Sequence, residues 1–188
     1  MSLFEYVTVM VSMILALCLG HLLRSASFLA STDSDIKRYT PYWLWLAVIL
    51  ISVINQWWSI WDLSNIAWNY VSFLYILVAP ILITFAIGLL SPMHNKSGLV
   101  DQEAHFDRVR YLFSGVMVTY LLFMWFDGPL FTEQKVFGPV GIMHIPVIMC
   151  TIIPGITKNY RLNVIGPASI LVLLFGVMVI RYSMAISK

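Results

Sequence analysis

The chain has 188 residues, 60% of them apolar or aromatic and 11% charged, with a mean hydropathy of +0.86; that balance excludes an ordinary soluble domain. Its net charge of +2 is scattered over connecting segments rather than gathered on a basic face, so no nucleic acid is expected as a partner. At roughly 20 apolar residues per helical span, a chain of this length holds about six spans with short connections. The expectation is therefore an all-α, polytopic transmembrane bundle, a single domain over residues 1–188 whose surroundings are the lipid bilayer.

In chain order, the first span is expected at about 4–23. The stretch before it lacks Lys and Arg and carries Glu5, which argues for a retained helix over a cleaved signal. Ser12, Ala16 and Gly20 recur every four residues along it, a small-residue pattern that lets two helix backbones approach; the seam lies within the chain or between protomers. The second span, about 42–61, holds the amides Asn55 and Gln56 inside its apolar run and ends in Trp57, Trp58, Trp61 and Asp62. The third, about 68–90, opens with Trp68, Asn69 and Tyr70. The fourth, about 110–130, contains Trp125 and Asp127. The fifth, about 137–156, carries Gly138, Pro139, Gly141, Pro146 and Pro154, consistent with a kinked span or a re-entrant element. The sixth is expected at about 162–180.

The segments after spans one, three and five carry Arg24, Lys37, Arg38, Lys96, Arg108, Arg110, Lys158 and Arg161, against Lys135, Arg181 and Lys188 on the other side. By the positive-inside rule those three segments are cytoplasmic and both termini face outward. Between 101 and 108 acids precede bases without Gly or Pro, the pattern of a solvated helix start leading into span four.

Asn55, Gln56, Asp62, Asp127 and His144 are candidates along a polar path that opens outward. Amides inside an apolar run need partners, and an intramembrane ionisable group is a functional candidate by default. The competing readings are an aromatic belt at the headgroup boundary, solvated acidic helix ends at Glu5, Asp62 and Asp127 or a clasp of these carboxylates with Arg181, and a neutral His144 bonded to a neighbouring helix. His21, His94 and His105, with Asp101, Glu103 and Asp107, form only a weak metal candidate, because tight ligand spacing is missing. A haem held by His21 and His144 is disfavoured, since the two lie toward opposite faces. Cys18 and Cys150 sit in apolar runs and suggest neither a disulfide framework nor a zinc site. Hydrolase serine motifs, phosphate-cradling glycine loops and paired catalytic carboxylates are missing from the sequence, which disfavours catalysis.

The opening Ser2-Leu3-Phe4-Glu5-Tyr6-Val7, the Gln56-Trp57-Trp58 run, and Ala104-His105-Phe106 with Arg108 resemble an uncharacterised family of small six-helix bacterial inner-membrane proteins. The resemblance covers about the first two-thirds of the chain. It implies a bacterial inner membrane and supports the helix count, and it lends no activity, ligand or cofactor. Three functional readings stay open. The first is an oligomeric channel or transporter-like protein for an ion or small solute. The second is a membrane sensor or interaction subunit docking a cytoplasmic partner through residues 101–110. The third is a quinone- or haem-linked redox subunit.

Overall fold

The computed structural model describes residues 2–31, 36–91, 100–131 and 135–186. Among them are six α-helices: α1 Leu3–Ser31, α2 Thr40–Ser59, α3 Tyr70–Leu90, α4 Gln102–Phe131, α5 Pro139–Ile156 and α6 Tyr160–Ile186. A 3-10 turn, Ile60–Leu63, continues α2. The fold is an all-α helical bundle. Four helices are long and apolar enough to cross a membrane, over Leu3–Phe28, Thr40–Leu63, Tyr70–Leu90 and Gln102–Phe131, while α5 and α6 carry shorter apolar stretches, Gly141–Ile156 and Tyr160–Gly176.

Local chemistry sets where the helices begin. The Ser2 N–H donates to Glu5 Oε2 at 2.9 Å and the Glu5 N–H returns to Ser2 Oγ at 3.2 Å, a reciprocal cap that satisfies two orphan donors of α1. Glu5 therefore has a structural task at the helix start. Asn69 Oδ1 accepts the Ser72 N–H at 2.9 Å to start α3, and Asp101 Oδ1 accepts the Ala104 N–H at 3.0 Å to start α4. Pro41 and Pro139 stand in the first turns of α2 and α5, where no intrahelical N–H is needed. Residues 101–108 do open α4, eight residues before the expected span. The segment is not wholly solvated, because Gln102 and Phe106 are buried, as is Arg110 just beyond it. The fifth helix runs unbroken through Pro146 and Pro154.

The helices pack as a ring in the order α1, α2, α6, α5, α4, α3, closing back on α1, with α2 also reaching α3 and α4. Side-chain contacts fix which ends lie together. Phe4 packs on Trp61 and Trp68, joining the start of α1 to the end of α2 and the start of α3. At the opposite end Ser25 Oγ meets Ser91 Oγ at 2.7 Å, Tyr42 donates to the Leu90 carbonyl at 3.0 Å, and Tyr160 donates to Thr40 Oγ1 at 3.1 Å. This second end carries Arg24, Lys37, Arg38, Arg108, Arg110, Lys158 and Arg161 and is called here the basic end; Lys96 lies outside the described residues.

Between the two ends the core is solid. Trp45, Ile49, Phe113, Met117 and Ile170 are all nearly inaccessible, and the Trp45 and Phe113 rings meet edge-on at 5.0 Å, an arrangement worth about 0.5–1.5 kcal/mol beyond area burial. Small residues bring α5 against its neighbours. A Cβ on Gly155 would stand 3.1 Å from Ser114 Oγ on α4, and one on Gly166 of α6 would stand 3.1 Å from the Cys150 carbonyl.

On α1 the face that packs inward is Val7, Val11, Leu15, Cys18, Leu22 and Ser25. Ala16 and Gly20 point outward instead, with open space around Gly20. The Ser12, Ala16, Gly20 stripe is thus not a seam within this chain; only Ser12 touches α2, accepting the Trp57 indole N–H at 3.1 Å. Larger apolar groups make the closer fit on the other side of the helix.

At the basic end, two-residue strands Ile36–Lys37 (β1) and Val100–Asp101 (β2) pair in parallel. The Tyr39 N–H donates to Gln102 Oε1 at 2.8 Å in a buried position. Lys37 Nζ reaches Glu103 at 2.7 Å and Asp101 at 3.5 Å, and Lys158 reaches Asp107 at 2.7 Å. The carboxylates of Asp101, Glu103 and Asp107 therefore turn toward lysines of their own chain. The Ala104 N–H, then Lys37, hold the Asp101 carboxyl below the usual range, and Glu103 with Asp101 raises the Lys37 ammonium.

Candidate functional site

At the end opposite the basic one, α2, α4, α5 and α6 part around a cavity of about 140 Å³. Its polar lining follows from helical spacing. Ser52, Asn55, Ser59 and Asp62 fall at intervals of three, four and three residues, close to the 3.6-residue repeat, so one stripe of α2 and its 3-10 extension faces inward. From α4 come Tyr120, Trp125 and Asp127, from α5 His144, and from the loop between them Lys135; Leu121, Met124, Val147, Leu173 and Leu174 complete the wall.

Asn55, Asp62, Asp127 and His144 thus share one cavity, although they come from three different stretches of sequence. Gln56 does not line it. One residue is about 100° of rotation on a helix, and Gln56 turns instead into the packed core, 5% exposed, with its Oε1 lacking a hydrogen-bond partner among the described residues. Ser52, Ser59, Tyr120 and Lys135 complete the polar lining without having been singled out from the sequence. The 52, 55, 59, 62 polar stripe was the signal that would have found two of them.

Trp125 builds the wall next to His144. Its indole N–H donates to the Val136 carbonyl at 2.9 Å, its ring lies parallel to the His144 imidazole within 3°, at a centroid distance of 6.1 Å, and Phe137 closes on it edge-on. Gly141 is required here, because a Cβ would run into the Val136 carbonyl and approach the Trp125 indole nitrogen at 3.2 Å. The loop leading into α5 therefore lies directly against the cavity wall.

Among the described residues the lining holds the carboxylates of Asp62 and Asp127 and the ammonium of Lys135. Asp127 is half-buried and forms neither a hydrogen bond nor an ion pair among the described residues.

The remaining sequence candidates lie elsewhere. His21 is exposed on α1, His105 donates from Nε2 to the Leu89 carbonyl at 3.0 Å, and His94 lies outside the described residues. Among the described residues, groups of three or more His, Cys, Asp or Glu able to hold a metal ion are absent. His21 and His144 sit on helices with different neighbours, α1 between α2 and α3, and α5 between α4 and α6, so the two imidazoles do not bracket a common site. The Arg181 side chain lies outside the description.

A second polar centre escaped the sequence reading. Arg110, read there as one of the basic loop residues, is 4% exposed. Its guanidinium donates to the Pro154 carbonyl at 3.0 Å and to the Tyr111 hydroxyl at 2.6 Å, and lies 4.3 Å from the centroid of the Tyr111 ring. The Pro154 carbonyl belongs to the last turn of α5, where intrahelical donors run out, so the arginine closes that helix end and ties it to α4. Comparison of the chain with protein families, curated proteins and solved structures finds no match.

Proposed function

We propose that the chain is a six-span protein of a bacterial inner membrane, with both termini outside, and that its cavity is the outward-facing binding station of a transporter-like protein for a small solute. The observation that carries the reading is the convergence of Asn55, Asp62, Asp127 and His144 on one cavity. Polar and ionisable groups at membrane depth are costly unless they serve one another or a passing ligand. The gathering of cations at the opposite end supports the orientation, which places the cavity outside.

A transporter-like cycle fits better than an open pore. Toward the basic end each lining helix passes into closed packing: Ile49 and Trp45 on α2, Met117 and Phe113 on α4, Thr151 on α5 and Ile170 on α6 are all buried. From Tyr120 to Phe113 is seven residues, or about 10 Å of helix, with Ser114 donating to the Thr151 carbonyl at 2.6 Å across that layer. A solute leaving the cavity inward has to part these helices, which is an alternating motion rather than free diffusion. Assembly of several copies belongs to the same proposal, since outward-facing Trp57, Phe85, Phe126 and Phe175 suit contact with lipid or with another copy.

The test is flux in proteoliposomes across a panel of inorganic ions and small neutral, cationic and anionic solutes. Wild-type protein is expected to pass at least one of them, and His144→Ala and Asn55→Leu to slow that flux. Wild-type vesicles as tight as empty ones for the whole panel would overturn the reading.

A further inference from the structure

The cavity's chemistry narrows what it takes. Asp127 stands half-buried on its wall without a hydrogen bond or ion pair among the described residues, and an ionised carboxylate in apolar surroundings needs a compensating cation. Asp62 and Lys135 belong to the same lining. The Tyr120 and Trp125 rings also line the cavity, and aromatic faces attract ammonium groups by their quadrupoles. Beside Ser52, Asn55, Ser59 and His144, the wall carries the hydrocarbon side chains of Leu121, Met124, Val147, Leu173 and Leu174, which suits a ligand with an apolar body. A bare divalent ion asks for six or more oxygen ligands, and metal-holding clusters are absent among the described residues.

We propose that the cavity binds a small organic cation, a protonated or quaternary amine on a compact hydrocarbon body, with Asp127 as counter-ion and Trp125 and Tyr120 beside the charged head. The volume of about 140 Å³ sets the size. An apolar cavity of about 150 Å³ holds benzene, so the ligand has on the order of six to eight non-hydrogen atoms. The Asp127 carboxylate disfavours anions, and the hydrocarbon side chains disfavour strongly hydrated inorganic cations.

This inference rests on the reading of the cavity as a binding station, and the experiment separates the two. Purified full-length protein in detergent is titrated calorimetrically with choline, with benzylammonium, and with the uncharged carbon isostere of choline that carries tert-butyl in place of trimethylammonium. At least one cation is expected to bind the wild type about tenfold or more tighter than the neutral isostere, and Asp127→Asn to weaken it by a similar factor. Asp127→Glu is expected to retain binding. Equal binding of choline and its isostere, binding of neither cation, or an Asp127→Asn variant within about twofold of wild type would overturn the proposal. The comparison of charged and uncharged probes on the wild type needs no variant to fold. Flux of a neutral or anionic solute without cation binding overturns this inference and leaves the transport reading standing; cation binding without flux of any tested solute does the reverse.

Discussion

Arg110 poses a choice between two effects whose sizes can be compared. Its guanidinium forks to the Pro154 carbonyl at 3.0 Å and the Tyr111 hydroxyl at 2.6 Å and lies over the Tyr111 ring. Hydrogen bonds to a charged group contribute about 1.5–3 kcal/mol each, and a partly desolvated cation–π contact about 0.5–2 kcal/mol. Against these stands the desolvation of a guanidinium that is 4% exposed, several kcal/mol after relaxation. Arg110→Met removes gain and cost together, so its stability is expected within about 1 kcal/mol of wild type. Arg110→Lys keeps a buried charge but has no planar fork to satisfy both acceptors, and about 2 kcal/mol of stability is expected to go. The prediction is therefore an inversion: the charge-conserving variant is the less stable one. In a chain of this size 2 kcal/mol corresponds to a fall in Tm of roughly 4–8 °C, readable by circular dichroism during thermal unfolding in mild detergent. An Arg110→Lys variant as stable as wild type, with Arg110→Met well below both, would refute the reasoning by showing that charge alone matters and that the side chain reaches water.

Three further outcomes follow from the packing and the ion pairs. Gly155→Val places a branched side chain where a Cβ already stands 3.1 Å from Ser114 Oγ; overpacking of this kind costs about 1–3 kcal/mol, and Ser114→Ala in the same chain is expected to restore part of it in the same melts. The β1–β2 clasp should be insensitive to pH across the neutral range. Asp101 is lowered chiefly by the Ala104 N–H and then by Lys37, so its contribution is full above the ordinary carboxylate value of about 3.9 and is lost as pH falls through the lowered one. Lys37 is raised by Glu103 and Asp101, so its contribution is full below about 10.4 and lost as pH rises through the raised value. Hydrogen-exchange protection at Lys37 and Asp101, corrected for intrinsic rates, is expected constant from about pH 5 to about 9; a change inside that window counts against the clasp. Finally, Cys18 is 0% exposed and Cys150 half-buried, so a maleimide should label Cys150 first, and equal labelling in the folded protein would contradict the packing of α1 on α3.

Helix positions were legible because bilayer-length apolar runs are written in one dimension, and the acids before bases at 101–108 marked the start of α4; the Asn69 cap of α3 emerged only with the structure. Which face turns inward was not, since lipid-facing and core-facing surfaces are both hydrophobic and leave no periodic contrast. The small residues of α1 illustrate this: Ala16 and Gly20 have the spacing of a seam but face outward, away from their own chain, while Val11, Leu15 and Cys18 do the packing within it. Polar residues behave differently, because a polar stripe in an apolar helix is itself a contrast. Asn55, Asp62, Asp127 and His144 stood out for that reason, though adjacent Gln56 needed the helical turn to be separated from Asn55. Arg110 was hidden by its place at the basic end of a span, where a solvated arginine is the ordinary expectation; only the burial of its neighbours Phe106 and Phe113 and the nearby end of α5 reveal its role.

The ring of helices also fixes the order in which the cavity comes into being. Three of its walls, from α2, α4 and α5, are synthesised before α6, yet α6 packs between α2 and α5 and supplies Leu173 and Leu174 to the lining. Without α6 the gap between α2 and α5 stays unfilled, and Asn55, Asp62 and Asp127 lack the hydrocarbon of Leu173 and Leu174 beside them. On the proposed membrane topology, a nascent chain held before α6 would turn this polar surface toward lipid, which makes the last helix the step at which quality control has the most to detect.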